Sequence, residues 1–135
     1  MTERLLFTAR HGLSQSQIAF VRYPDLSALP DRPGLFALLG PRSAGQAGPL
    51  YFGHADHSML RQIPQDPGFG HAIRRGLTGF AAAYLPSGVD PRALVDALAA
   101  NYDAPVNAAA HALAEIEHAQ AKIHKKSRAR QLIAH

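Results

Sequence analysis

The chain has 135 residues, which fits one domain, and 47% of them are hydrophobic, which is enough for a single packed core. It contains no cysteine, so disulfides and thiolate metal sites are excluded, and nothing indicates an oxidising compartment. The net charge is +4, and residues 108–135 supply +3 of it, from five Lys or Arg against two Glu. A tail of this charge is typical either of a phosphate contact or of a solvated helix face.

No run of the sequence reaches the roughly 20 apolar residues of a membrane span, and the apolar run after Arg4 is too short for a signal peptide. We therefore expect a cytoplasmic protein without a membrane partner. Residues 1–28 are predicted to be an N-terminal extension, in which Ser14 caps a short helix running to about Phe20.

Three strands are expected next. The unbroken apolar run 34–39 predicts a strand covered on both faces, and turn residues at 40–49 should return the run 50–52 antiparallel beside it. Because side chains alternate along a strand, we expect Tyr51 to point opposite to its two neighbours, toward a cleft. Residues 78–85 are predicted to form the third strand.

The helices follow from their start and stop residues. Asp56 or Ser58 can cap a short helix that carries Arg61, and after a loop at 65–70 another short helix is predicted at 71–75. Asp90 followed by Pro91 combines a carboxylate cap with proline at the first helical position, so a helix is expected through 93–102.

A longer helix is predicted after the break at residues 104–107. Along it Leu113, Ile116 and Ile123 recur at spacings of three and seven. Such a stripe fits either packing back on the core or a contact between two helices of a homodimer.

Several of these segments resemble the motifs of the GIY-YIG endonuclease family, and particularly the nuclease domain of bacterial excision-repair endonucleases. A Leu-Pro-x-x-Pro-Gly turn that leads into the first motif matches residues 29–36, and the second motif matches Tyr51-Phe52-Gly53. The family arginine stands ten residues after that tyrosine, where Arg61 is found. The closing signature, an acidic helix followed by Pro-x-x-Asn, resembles residues 93–107.

The resemblance implies an α/β (α+β) domain at residues 29–107, with a small three-stranded antiparallel sheet flanked by helices. Residues 108–135, which follow it, are expected to form a basic C-terminal helix. The resemblance also implies metal-dependent hydrolysis of DNA, with Tyr51 as base or partner of a metal-bound water, Arg61 on the phosphate and His54 in support. Asp96 would hold Mg²⁺ or Mn²⁺, since hard cations prefer carboxylate oxygens.

Two positions depart from the family pattern, because Phe36 replaces its first tyrosine and Asp96 replaces its glutamate. A phenyl ring can neither donate a hydrogen bond nor take up a proton, and the loss of one general base costs about 10² to 10⁴ in rate. Two interpretations therefore stay open: a nuclease, or a degenerate nuclease fold that serves as a nucleic-acid or protein binding module.

DNA contacts are predicted at basic residues outside the motifs: Arg74, Arg75, Lys122, Lys125 and Lys126. Two groups have spacings that zinc ligands also show, and helical residues at these spacings often arise without a metal. These groups are His54 with Asp56 and His57, and His111 with Glu115 and His118.

Overall fold

The computed structural model describes residues 3–11, 13–42 and 45–133, and the side chains of these residues except 11 and 124–133. The strands in this part of the chain are β1 (Arg4–His11), β2 (Ser14–Tyr23), β3 (Gly34–Pro41), β4 (Ala47–Ala55) and β5 (Gly79–Ala83). The helices are α1 (Met59–Gln62), α2 (Pro67–Arg74), α3 (Pro91–Asn101) and α4 (Pro105–Ile133).

The sheet is antiparallel, with the strand order β1-β2-β5-β3-β4. It curls so far that strands from its two ends approach each other, and the rings of Phe7 on β1 and Phe52 on β4 meet edge to face at 5.3 Å between centroids. The α+β class is as expected. The predicted three-stranded sheet is wrong in strand number, because the hairpin of β1 and β2 adds two strands beyond β5.

The helix predicted from Ser14 to Phe20 is wrong as well, since these residues lie in β2. Along this strand Ile18 and Phe20 are buried, whereas Gln17 and Ala19 between them are exposed. An alternation of period two fits a strand with one covered face and does not fit a helix, whose apolar positions recur every three or four residues.

The core lies on both faces of the sheet, and β3 divides its side chains between them. Leu35, Ala37 and Leu39 face α3 and pack in one cluster with Leu94 and Leu98. Phe36 and Leu38 belong to a second cluster on the other face, which is covered by α1, α2 and the first turn of α4. The unbroken apolar run of β3 is therefore explained, as predicted, by cover on both faces.

Three helices test the predicted caps. Ser58 caps α1, since its hydroxyl accepts a hydrogen bond from the backbone N–H of Arg61 at 3.2 Å. The helix predicted after Asp90 is confirmed as α3. The loop predicted at 65–70 is wrong, because α2 already begins at Pro67, with the Asp66 carboxylate accepting from the N–H of Gly68 at 2.8 Å.

Side chains from the helices satisfy backbone groups at both edge strands. On β4, Asn107 binds Phe52 twice, accepting from its N–H at 2.8 Å and donating to its C=O at 2.9 Å. On β1, the hydroxyl of Tyr102 accepts from the N–H of Thr8 at 2.7 Å, and Asn101 donates to its C=O at 2.8 Å. Edge groups paired in this way cannot recruit another strand. In the described part of the chain, every helix is too short or too polar to cross a bilayer.

Candidate functional site

Tyr51 lies at a β-bulge of the edge strand β4. The pairing of β3 with β4 shifts between Leu38 and Leu39, so that Leu50 has no partner residue of its own. The bulge interrupts the alternation of side chains along β4. Leu50 and Tyr51 therefore both pack in the cluster beneath α2, while Phe52 faces α3. The expectation that Tyr51 points opposite to Leu50 is therefore wrong, and only its opposition to Phe52 holds.

The ring of Tyr51 lies directly over the first turn of α2. A methyl group at Gly68 would collide with this ring, so the close approach of β4 and α2 depends on glycine at that position. The hydroxyl of Tyr51 donates a hydrogen bond to the Asp66 carboxylate, which also caps α2. Burial raises the pKa of Tyr51 well above that of a free phenol, and the negative charge and hydrogen bond of Asp66 raise it further. The Tyr51 phenol therefore holds its proton strongly.

Phe36 occupies the place of the missing first tyrosine and is 1% exposed. Its ring lies 6.0 Å from that of Tyr51, and Gly53 packs on its face so closely that an added Cβ would come within 2.5 Å of the ring. The phenyl ring of Phe36 thus presents only apolar atoms between the edge strand and α1, and it has no group that could bind water or a proton.

Two cavities of about 380 and 260 Å³ lie beside β4, and both are lined by His54 and Asp66. We call these two cavities together the β4 groove. Tyr51, Asp96 and Arg92 line the larger cavity, together with Asn107 and His111 from α4. Phe36 with Gln62 and Gln65 lines the smaller one. Tyr51, His54 and Asp96, which the sequence predicted as site residues, therefore share one groove.

His54 is positioned by β4 and half-buried at the junction of the two cavities. Its Nε2 lies 3.4 Å from the Asp56 carboxylate. Asp96 stands on the exposed side of α3, and its carboxylate reaches the groove from the opposite wall.

Arg61 lies apart from these residues. Its side chain is 77% exposed, and its guanidinium lies 3.7 Å from the Asp31 carboxylate in the turn before β3. The next residue, Gln62, lines the smaller cavity, so Arg61 stands just beyond that end of the β4 groove. The structure thus does not bring Arg61 together with Tyr51 and Asp96.

The predicted DNA-binding residues lie on two helices outside the groove. Arg74 and Arg75 are exposed at the C-terminal end of α2, and Lys122 is exposed on α4. Helix α4 continues through Lys125 and Lys126, whose side chains lie outside the described residues.

The sequence also predicted metal ligands at Asp96 and at two groups of histidine and acidic residues. Among the side chains that the structure describes, no three His, Asp or Glu residues are grouped so as to hold a metal ion. On the predicted zinc positions of α4, His111 Nε2 lies 3.1 Å from Glu115, which is an ion-pair geometry at the i, i+4 spacing. Mg²⁺ or Mn²⁺ at Asp96 stays a prediction.

Sequence reasoning missed the two charged residues Asp66 and Arg92 of the groove, as well as the amides Gln62 and Gln65. Asp66 is followed by Pro67, the same cap signature that identified α3 at Asp90 and Pro91, so the start of α2 could have been recognised. Arg92 lies one turn before Asp96 on α3, which places both on the side of the helix that faces the groove.

Comparisons with protein-family models, with curated proteins and with solved structures found no match to this chain.

Proposed function

We propose that the protein is a catalytically degenerate GIY-YIG-like domain that binds DNA along the β4 groove and the adjoining side of α4. The adjacency of β4, β3 and β5, and the placement of α1 directly after the second motif, support the GIY-YIG-like assignment. On this proposal the protein binds phosphodiesters and leaves them intact.

The state of Tyr51 carries the proposal. A general base must release its proton near neutral pH, yet burial and the neighbouring Asp66 raise the pKa of this phenol. Phe36, the other position at which the family has a tyrosine, supplies no ionisable group. The groove therefore keeps the shape of a cleft, while Phe36 carries no ionisable group and Tyr51 holds its proton strongly.

Helix α4 supplies the charge for binding. His111 and Ala114 line the groove, and at about 100° per residue the positions 118, 122 and 125 recur on the same side of the helix. Lysine occupies two of these positions. From His111 to Lys125 the helix rises by about 21 Å, long enough to follow several phosphates of a nucleic-acid strand that leaves the groove. Arg92 offers a further cation on the wall formed by α3.

Fluorescence anisotropy with a labelled DNA oligonucleotide tests this binding. We expect affinity to fall steeply with salt, because each neutralised phosphate releases counterions. The variant Lys122→Ala/Lys125→Ala should weaken binding about 10-fold and lower the salt slope by about two. The control Arg4→Ala/Arg10→Ala removes the same charge from exposed positions of β1 and should change affinity less than about twofold. Equal losses of DNA affinity in both variants would contradict the proposal that DNA binds along α4.

Slow hydrolysis is a second candidate, and it is favoured by the shared placement of His54 and Asp96 on one groove. His54, beside Asp56, would then replace Tyr51 as the base. This function predicts cleavage of the oligonucleotide that His54→Ala abolishes and that the exposed His71→Ala leaves unchanged. If the wild type neither binds nor cleaves DNA, the remaining interpretation is a protein-binding module.

A further inference from the structure

The apolar stripe of α4 is not covered by any part of the chain that the structure describes. Leu113, Ile116 and Ile123 are 56%, 55% and 64% exposed, so packing back on the core, one of the two roles that their spacing allows, is wrong. A contact between two copies of the helix stays a prediction.

In the smaller cavity of the β4 groove, the amide of Gln62 is held in one orientation. Its Oε1 accepts hydrogen bonds from the backbone N–H groups of His57 and Ser58 at 2.7 and 2.8 Å. Because a backbone N–H can only donate, these bonds also show which end of the amide is the oxygen. The NH2 group of Gln62 has no acceptor among the described residues. No buried side-chain nitrogen or oxygen of the described residues lacks a partner, so this NH2 group is open to solvent.

Asp66 supplies an acceptor in the same cavity. Its carboxylate accepts from the backbone N–H of Gly68 at 2.8 Å and from the hydroxyl of Tyr51. An ionised carboxylate has about four acceptor sites, so about two of them stay unused. The cavity therefore offers an unused donor group on Gln62 and unused acceptor sites on Asp66, and both side chains are held in place by other hydrogen bonds.

This combination selects the class of ligand. No Lys or Arg is among the described residues that line the smaller cavity, and the Asp66 carboxylate repels a phosphate group. An ammonium group has donors only, so it would leave the NH2 group of Gln62 unpaired. A planar edge that carries a donor beside an acceptor satisfies both residues, and each of the four nucleobases has such an edge.

We propose that the smaller cavity binds one unstacked nucleobase, so that the protein prefers single-stranded DNA to duplex; this inference rests on the proposed binding of DNA at the β4 groove. At about 30 Å³ per water, the 260 Å³ cavity holds about nine waters, and a base has a similar number of non-hydrogen atoms. In a duplex the base is stacked and its Watson–Crick edge is paired, so it would have to be extruded to reach Gln62 and Asp66. In a single strand that edge is free.

Thymidine, which has a base but no phosphate, tests the cavity separately from the path along α4. Its N3–H can donate to Asp66 while its O4 accepts from Gln62. In ¹⁵N–¹H NMR spectra of the full chain, thymidine should shift the side-chain NH2 signal of Gln62 and the backbone signals of His54 and Gln65, with a dissociation constant on the order of 1 mM. N3-methylthymidine lacks the N3–H donor and should bind about 10-fold more weakly. Equal binding of the two nucleosides, or no shifts with thymidine, would overturn the proposal.

A single substitution tests the donor. Gln62→Glu removes the NH2 group but keeps an oxygen for the N–H groups of His57 and Ser58, so circular dichroism should show an intact fold. Thymidine binding should fall about 10-fold, because its O4 loses a partner. Gln17→Glu makes the same chemical change at an exposed position of β2 and should leave thymidine binding unchanged. Wild-type affinity in Gln62→Glu would overturn the proposal, and if this variant unfolds, the comparison of the two nucleosides on the wild type decides.

Anisotropy with a labelled single strand and with the duplex of the same length separates this proposal from the proposed function. We expect the single strand to bind about 10-fold more tightly at equal salt, because it needs no extrusion of a base. Lys122→Ala/Lys125→Ala should leave thymidine binding unchanged, since thymidine has no phosphate. Duplex binding at least as tight as single-strand binding would overturn the base site and leave DNA binding standing. Thymidine binding in a protein that binds no DNA would contradict the proposed function and support the base site.

Discussion

The two edges of the sheet are closed by the same chemistry but differ in what surrounds them. At the β1 edge Tyr102 and Asn101 bind the backbone of Thr8, and at the β4 edge Asn107 alone binds both backbone groups of Phe52. The hydroxyl of Tyr102 accepts from a backbone amide. The hydroxyl of Tyr51 at the other edge donates to a carboxylate instead.

This difference separates an edge whose polar side chains are used in packing from an edge that borders an open groove. At β1 both Tyr102 and Asn101 hold the end of α3 against the strand. At β4 one asparagine does this, and the remaining polar residues around it, His54, Asp96 and Arg92, line an open groove. Tyr51 also has a structural role at this edge, because its hydroxyl interacts with Asp66, the residue that caps α2.

The largest effect should come from the asparagines that close the edges. Asn107→Ala leaves a part-buried N–H and C=O of Phe52 without partners and should lower the free energy of unfolding by about 3 kcal/mol. Asn101→Ala removes one bond, to Thr8, and should cost about 1 kcal/mol. Urea denaturation measures both, and equal costs would show that the two edges are held alike.

A smaller effect is expected at the contact between β4 and α2. Gly68→Ala pushes the ring of Tyr51 off its helix and should destabilise the fold by about 2 kcal/mol, despite the better helix propensity of alanine.

Gly70→Ala in the same helix is the matched control, since an added Cβ there meets no atom within 4 Å. It should stabilise by about 0.5–1 kcal/mol, as is usual for alanine in a helix. Should Gly68→Ala also stabilise the protein in urea denaturation, the Tyr51 ring would not be held over α2.

The smallest effect at neutral pH is expected for Tyr51→Phe, about 0.5–1 kcal/mol, because Asp66 keeps its bond to Gly68. The stability of the variant should differ most clearly from that of the wild type at high pH. The folded pKa of Tyr51 is raised, so the stabilisation is fully present below the unfolded pKa of about 10 and is lost as the pH rises above it.

Above about pH 10 the wild type should therefore lose about 1.4 kcal/mol more per pH unit than Tyr51→Phe does. Urea denaturation at pH 7 and near pH 11 measures this. Parallel curves for the two proteins would mean that Tyr51 ionises freely.

Local sequence signals predicted much of the fold. The apolar run of β3 and the Asp-Pro start of α3 each depend on neighbours in the chain, and both are found. The turn predicted at 40–49 is too long, because β3 extends to Pro41 and β4 already begins at Ala47. The hairpin of β1 and β2 was missed because its apolar clusters are short and its pairing with β5 joins residues far apart in the sequence.

The site was less predictable for the same reason. The sequence shows that Arg61 follows Tyr51 by ten residues, but it does not show where the arginine side chain lies. In the fold this side chain is exposed on the capped helix α1, and its guanidinium is 3.7 Å from the Asp31 carboxylate. The bulge at Leu50 turns Tyr51 toward α2, and the bond to Asp66 depends on a helix start 15 residues later (66 − 51). Register shifts and tertiary hydrogen bonds of this kind leave no periodic trace in a sequence.

The central claim, that the β4 groove binds DNA without cutting it, can be tested in one sample. A labelled oligonucleotide is incubated with the wild type and Mn²⁺ at low salt, its anisotropy is recorded, and its length is then read on a denaturing gel. We predict raised anisotropy that falls with added salt, and an oligonucleotide that stays full length. Shortened product that disappears in His54→Ala would contradict the account and identify the protein as a working nuclease.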